Sequence, residues 1–129
     1  MIVTDSSDIV GTPRDVTAEN GTWSSLRLVV ANDNVGFSLH DTTVAAGTTN
    51  RFHYAHHIEA VLIIDGIGAV TDLRTGDEHA LSPGVLYLLN DHDEHILHAE
   101  TQIRAICVFN PATSGTERHD ATGAYPALN

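Results

Sequence analysis

Two clusters of side chains able to hold a metal stand out in this chain. His53, His56, His57 and Glu59 form the first; His92, Asp93, Glu94, His95 and His98 form the second. Nine histidines in 129 residues is a high count, but their grouping carries the argument. Imidazole and carboxylate together suit iron, manganese, zinc or nickel, and three protein ligands leave positions open for a substrate. The first cluster lies directly against an apolar run, Ala60 to Ile64. Residues two apart in a strand share a face, so His57, Glu59, Val61 and Ile63 point the same way. A histidine and a carboxylate aimed into an apolar interior are costly unless something binds them, and a metal ion satisfies both. The ordinary alternative is a set of solvated loop histidines.

The elements that must position these groups read as strands. No window of a dozen residues carries apolar positions at helical spacing. Short β-rich runs recur instead: Leu26 to Val30, Gly36 to Val44, Ala60 to Asp65, Ile67 to Leu73, Val85 to Leu89 and Ile103 to Phe109. Gly47, Gly66, Gly68, Gly76, Pro83-Gly84 and Asn90-Asp91 punctuate them, and Arg74 to Asp77 reads as a hairpin tip. Many short strands separated by polar turns predict an all-β chain, a small antiparallel barrel or jelly roll. Alternation places Ile103, Ala105, Cys107 and Phe109 on one face, Ser25 and Arg27 on another, and Val85, Tyr87 and Leu89 on a third. The first twenty residues and those from Asn110 onward lack this pattern and are expected to cap the barrel.

At this length one domain, residues 1–129, is expected, with a core that needs no disulfide. A single cysteine, Cys107, excludes a disulfide framework within the chain, and a reducing cytoplasm is the simplest compartment. No stretch approaches the roughly 18 apolar residues of a membrane span, and the N-terminus lacks a secretory pattern. Seventeen acidic against six basic residues give a net charge of −11. Such a field disfavours nucleic acid and anionic membranes as partners and suits a salt-rich cytoplasm.

A histidine–glutamate strand, a hairpin, a Pro-Gly turn and a further histidine resemble the way cupin barrels build a mononuclear metal site. The segments GTPRDV (Gly11 to Val16), WSSLR (Trp23 to Arg27), GFSLHDTT (Gly36 to Thr43), HIEA (His57 to Ala60), PGVLY (Pro83 to Tyr87), DHDEH (Asp91 to His95), CVFNP (Cys107 to Pro111) and GTERHD-x-x-G-x-YP (Gly115 to Pro126) together resemble the ectoine synthases. The resemblance runs through nearly the whole chain in order. It implies an iron-dependent cupin, a carbon–oxygen lyase that cyclises N-γ-acetyl-L-2,4-diaminobutyrate to the compatible solute ectoine with loss of water.

The resemblance also implies site residues. The family's ligands fall on Glu59, Tyr87 and His95, with Fe2+ as the metal and Zn2+ or Co2+ as substitutes. Spacing alone selects His57 over Tyr87, because a phenol is a poor ligand until a cation lowers its pKa from about 10; beside the family's set His57 becomes an orienting residue. Substrate contacts fall on Trp23, Arg27, Thr42, Cys107 and Phe109, with Arg27 suited to a carboxylate. Tyr54, Glu117 and His119 are the candidates for the base that frees the attacking amine. A homodimer is the family's expectation. After Glu59 the sequence AVLIIDG stands where the family more often has a tyrosine and a cysteine, so pocket shape is expected to differ there. Two other readings remain: a non-catalytic cupin that binds a small ligand, and an iron dioxygenase using His57, Glu59 and His95.

Overall fold

The computed structural model describes residues 1–119 and 123–125. Ten strands and two short 3₁₀ turns, Ser6–Asp8 and Ala31–Asp33, make up the regular structure among them. The strands are β1 (Asp15–Thr17), β2 (Trp23–Val29), β3 (Ser38–Val44), β4 (Thr49–Phe52), β5 (Ile58–Asp65), β6 (Gly68–Asp72), β7 (Glu78–Leu81), β8 (Leu86–Leu89), β9 (His95–Ala99) and β10 (Ile103–Asn110). They form two sheets, β1-β2-β3-β10-β5-β8 and β4-β9-β6-β7, in which every pair is antiparallel. This is the expected all-β architecture.

Period-two alternation explains why the sheets face one another. In β10, Ile103, Ala105, Cys107 and Phe109 are buried while Arg104 and Asn110 are exposed. In β5, Glu59, Val61 and Ile63 are buried and Ile58, Leu62 and Ile64 exposed. The inward side chains of both sheets pack into one apolar cluster that includes Trp23, Phe52, Tyr54, Leu81, Leu97, Ile103 and Phe109. Burying such side chains is the main driving force for closing the two sheets.

Register then lays the inner face of the larger sheet out as a grid. One row reads Arg27, His40, Cys107, Val61, Tyr87; a second reads Ser25, Thr42, Ala105, Ile63; a third reads Ser38, Phe109, Glu59, Leu89. On the facing sheet Phe52 pairs with His95. Polar and aromatic residues therefore collect at the end of the barrel marked by Phe109, Glu59, Phe52 and His95. The opposite end is filled by Val44, Ala99, Ile103 and Leu81.

Two turns need glycine. Gly66, between β5 and β6, has φ +91° and packs so closely on Gln102 that a Cβ would run into its carbonyl. Gly123 has φ +79° and lies against the backbone of Arg51, and its carbonyl accepts from His53 N–H at 3.2 Å. The hairpin at Arg74 to Asp77 forms as expected, closed by Gly76 N–H to the Asp72 carbonyl at 2.8 Å.

The structure corrects the capping expectation at one end. Asp15–Thr17 is not a cap but an edge strand on β2. Ser6 and Val10 border a groove with Leu26, Thr43 and Arg104, on the outward side of the larger sheet rather than at the mouth. The C-terminal segment does cap the mouth, with Ala124 and Tyr125 buried. Asp120, Ala121, Thr122 and Pro126, within the GTERHD-x-x-G-x-YP motif, lie outside the described residues.

Candidate active site

The mouth end of the barrel encloses a cavity. Its walls are Trp23, His40, Thr42, Glu59, Tyr87, Cys107 and Phe109 from the larger sheet, Phe52, His95 and Leu97 from the smaller, and Tyr54 from the turn between β4 and β5. His119 and Tyr125 from the C-terminal segment form the roof. The lining is mainly apolar and aromatic with a few polar groups converging from different strands, the usual character of a small-molecule site.

Three of those polar groups sit together on the β5–β8–β9 side. Glu59 is buried with no cationic side chain beside it, and desolvation pushes its pKa up to about 8 despite the neighbouring Cys107 thiol. His95 is buried, and its Nδ1 lies 2.9 Å from the Asp93 carbonyl. A carbonyl can only accept, so Nδ1 carries the proton and Nε2 keeps its lone pair. Tyr87 meets His95 edge to face at 6.1 Å, and burial raises its phenol well above the ordinary value.

A divalent cation fits this donor set. It would neutralise an uncompensated buried carboxylate, use the pre-oriented imidazole nitrogen and lower the phenol's pKa. Among the described residues no three His, Cys, Asp or Glu side chains are gathered closely enough to hold a metal.

His57 is placed elsewhere. It precedes β5, is not among the cavity's walls, and packs edge-on against Phe109 at 5.9 Å and Tyr125 at 6.2 Å. Both ring nitrogens are buried without a hydrogen-bond partner. It therefore orients neither Glu59 nor His95 through a hydrogen bond, contrary to the role expected from sequence.

The comparisons with known proteins agree in direction. The family model for ectoine synthase matches residues 1–129. An L-ectoine synthase of Mycolicibacterium gilvum is 52% identical over 126 residues, covering 98% of this chain and 95% of that protein. One of Rhodococcus erythropolis is 49% identical over 128 residues, covering 99% and 97%. This chain belongs to the ectoine synthase family. The crystal structure of ectoine synthase from P. lautus superposes with a TM-score of 0.88 at 42% identity, over 99% of this chain and 91% of that one. A cupin domain of a transcriptional regulator from Enterobacter cloacae, 16% identical with a TM-score of 0.57 over 69% of this chain and 96% of that one, shares the fold alone.

Within this ectoine synthase-family barrel the remaining sequence candidates divide. Trp23, Thr42, Tyr54, Cys107, Phe109 and His119 line the cavity. The Tyr54 hydroxyl lies 2.7 Å from His119 Nε2, and His119 stacks on Tyr125 with ring centroids 4.4 Å apart. Arg27 and Glu117 stand behind the wall. Arg27 is 0% exposed, far from the exposed setting usual for an arginine. Its Nε donates to Ser25 Oγ at 3.0 Å, Nη1 to the Glu117 carbonyl at 3.0 Å and Nη2 to the Tyr125 hydroxyl at 3.1 Å.

Glu117 is saturated as well. Its carboxylate accepts from Ser114 N–H at 2.7 Å, Ser114 Oγ at 2.8 Å and Gly115 N–H at 2.8 Å, with Arg27 Nη1 at 3.6 Å. Burial alone would raise its pKa, but these hydrogen bonds outweigh it and hold the group below the ordinary value. Two polar residues of the cavity had no role assigned from sequence, His40 and Tyr125. Strand parity places His40 on the inward face with Ser38 and Thr42, so alternation along GFSLHDTT is the signal that finds it. Tyr125 belongs to the tail motif, and nothing local predicts its burial.

Proposed function

We propose that this chain closes the ring of N-γ-acetyl-L-2,4-diaminobutyrate to give ectoine and water, as an Fe2+-dependent carbon–oxygen lyase. The observation that carries the reading is the convergence of Glu59, Tyr87 and His95 on one side of a roofed, largely apolar cavity. Iron held by these three residues would polarise the acetamide carbonyl as a Lewis acid, and Zn2+ or Co2+ would suit the same donors. Trp23 and Phe109 wall the substrate's aliphatic chain, and Thr42 offers a hydroxyl beside Cys107. Folding the substrate so that its α-amine meets the amide carbon is an orientation effect that contributes several kcal/mol, roughly 7 or more when well aligned. The roof keeps bulk water from a reaction that must expel it.

The geometry supports changed roles for two residues. Arg27 and Glu117 hold the roof in place rather than touching the substrate. Tyr54 and His119 share a proton at the mouth, where they can pass it towards solvent.

The protein acts in the cytoplasm as a homodimer in this reading. The outward side of β5 and β8 supports the dimer: Leu62 pairs with Leu86 and Ala60 with Leu88, and the three leucines are 38, 56 and 52% exposed. An apolar patch of this kind on a strongly acidic chain marks an interface. No helix among the described residues is long and apolar enough to cross a membrane.

Incubating the purified protein with Fe2+ and N-γ-acetyl-diaminobutyrate without oxygen tests the reading. Ectoine should accumulate. Absence of product with iron bound overturns it in favour of a non-catalytic binding protein, and an absolute need for oxygen would favour a dioxygenase.

A further inference from the structure

His40 sits on β3 in the same row as Cys107, Val61 and Tyr87. Three strand spacings of about 4.8 Å separate its backbone from that of Tyr87, so it faces the metal donors from the far side of the cavity. It is 1% exposed and lines the cavity, yet no sequence argument had given it work. Its ring packs against Phe109 at 5.0 Å and Tyr125 at 6.2 Å.

A short buried chain of hydroxyls sets its tautomer. Thr113 Oγ1 donates to Ser38 Oγ at 3.1 Å, so the single proton of that hydroxyl is committed. The same oxygen lies 3.0 Å from His40 Nε2 and is left to accept there. Nε2 therefore carries the ring proton, and Nδ1 is a lone pair. No hydrogen bond to Nδ1 is found among the described residues.

The other candidates for a base on this side are spent. Glu117 stands behind the wall with its oxygens occupied. The Tyr54 phenol and the Cys107 thiol are both raised by burial and stay protonated, and His119 Nε2 is taken up with the Tyr54 hydroxyl. Glu59 belongs to the metal donors.

We propose, resting on the ring-closing activity above, that His40 Nδ1 accepts a proton from the substrate's α-ammonium group and so releases the attacking amine. One N–H bond of the ammonium breaks and its electron pair becomes the nucleophile. The C–N bond then forms at the amide carbon. The C–O bond of the former amide then breaks and its oxygen leaves as water with two protons. One is the proton that passed to His40 and returned, the other is given up by the attacking nitrogen, and the product is the cyclic amidinium. No oxidant or reductant is required.

Burial keeps His40 neutral and ready to accept, and the same desolvation lowers the pKa of an ammonium entering the cavity. The titratable or charged groups around it are Arg27 on β2, Cys107 on β10, His57 before β5, and His119 and Tyr125 in the roof. The nearby cation Arg27 and the histidines favour the neutral imidazole, so the ring gives its proton up again readily.

Two variants and one spectrum test the assignment. His40→Asn places an amide oxygen at the Nδ1 position, keeping an acceptor but no base. It should lower kcat about 100-fold or more with KM little changed, and remove the acid limb of the kcat profile. His40→Gln keeps a group near Thr113 but none at Nδ1. A purely structural histidine would tolerate it, whereas a base would not. Wild-type kcat and pH profile in either variant overturn the proposal. Nitrogen NMR of the Zn2+-loaded wild type reads the ring without turnover. Nδ1 should resonate as an unprotonated nitrogen and shift on adding substrate. A protonated Nδ1, or no shift, also overturns it. Loss of ectoine formation by wild type, with the Nδ1 shift intact, would instead count against the ring-closing reading alone.

Discussion

Arg27 and Tyr125 meet at 3.1 Å through a guanidinium nitrogen and a phenol oxygen, although 98 residues separate them in sequence. The guanidinium carbon also lies 5.5 Å from the centre of the Tyr125 ring. Arg27 thus fixes the roof to β2 by a hydrogen bond, a cation–π contact and its ion pair with Glu117. Removing it leaves a buried carboxylate and a buried phenol without their partner. Arg27→Ala should cost about 3 kcal/mol in urea unfolding, and proteolysis should cleave the C-terminal segment first. Unchanged unfolding with a raised KM would show instead that Arg27 serves the substrate.

Acid should loosen the same clamp. Glu117 has a pKa below the ordinary carboxylate value, so the folded state favours its ionised form. The stability this contributes is present above the ordinary value and is lost as the pH falls through the folded-state value. Glu117→Gln should therefore unfold at a midpoint less dependent on pH on the acid side than wild type does. Parallel acid profiles for the two proteins would contradict the assignment.

Metal uptake should move protons. With its pKa near 8, Glu59 in the metal-free protein is largely protonated at neutral pH, but it must be ionised to bind a cation. Titrating Zn2+ at pH 7 in buffers of different ionisation enthalpy should show about one proton leaving from this group, and more if Tyr87 ionises. A raised folded-state pKa also means that Glu59 destabilises the metal-free fold as pH climbs from the ordinary carboxylate range to about 8. Glu59→Gln should abolish metal binding while flattening that slope.

The outer leucines make a separate prediction. Leu88→Asp places a charge in the patch beside Ala60 and Leu62 without touching the cavity. Sedimentation should find the variant monomeric where wild type is dimeric, with thermal unfolding of the barrel little changed. A dimer that persists would move the interface elsewhere.

How far the sequence could be read depends on how local each signal was. The face of β10 follows from alternation, because an apolar residue every second position needs only a sheet to lie against. In β2, by contrast, the alternating Leu26 and Leu28 lie opposite the buried face, which carries Ser25 and Arg27. Strands β4, β7 and β9 went unnoticed: Thr49–Phe52, Glu78–Leu81 and His95–Ala99 hold four or five residues each, with histidine, glutamate, threonine or arginine among them. They become strands because neighbours pair with them. Glu59 and His95 were legible from residue type beside an apolar run.

The third donor proposed, Tyr87, was not legible in that way. Same-face spacing selects His57, but the chain turns before β5 begins and carries that ring away from the cavity. The burial of Arg27 was not legible for a related reason. The sequence suggests a substrate contact, and only partners as distant as Glu117 and Tyr125 make its complete burial tolerable.

The roof has a consequence for how the molecule comes into being. Every strand among the described residues ends by Asn110, so the chain up to that point already contains the whole barrel and the three proposed metal donors. His119 and Tyr125 emerge later, and Arg27 has to wait for them. A message cut short after Asn110 yields a vessel that can be filled but not closed. Newly made protein should begin work only when its tail has cleared the exit tunnel and folded back.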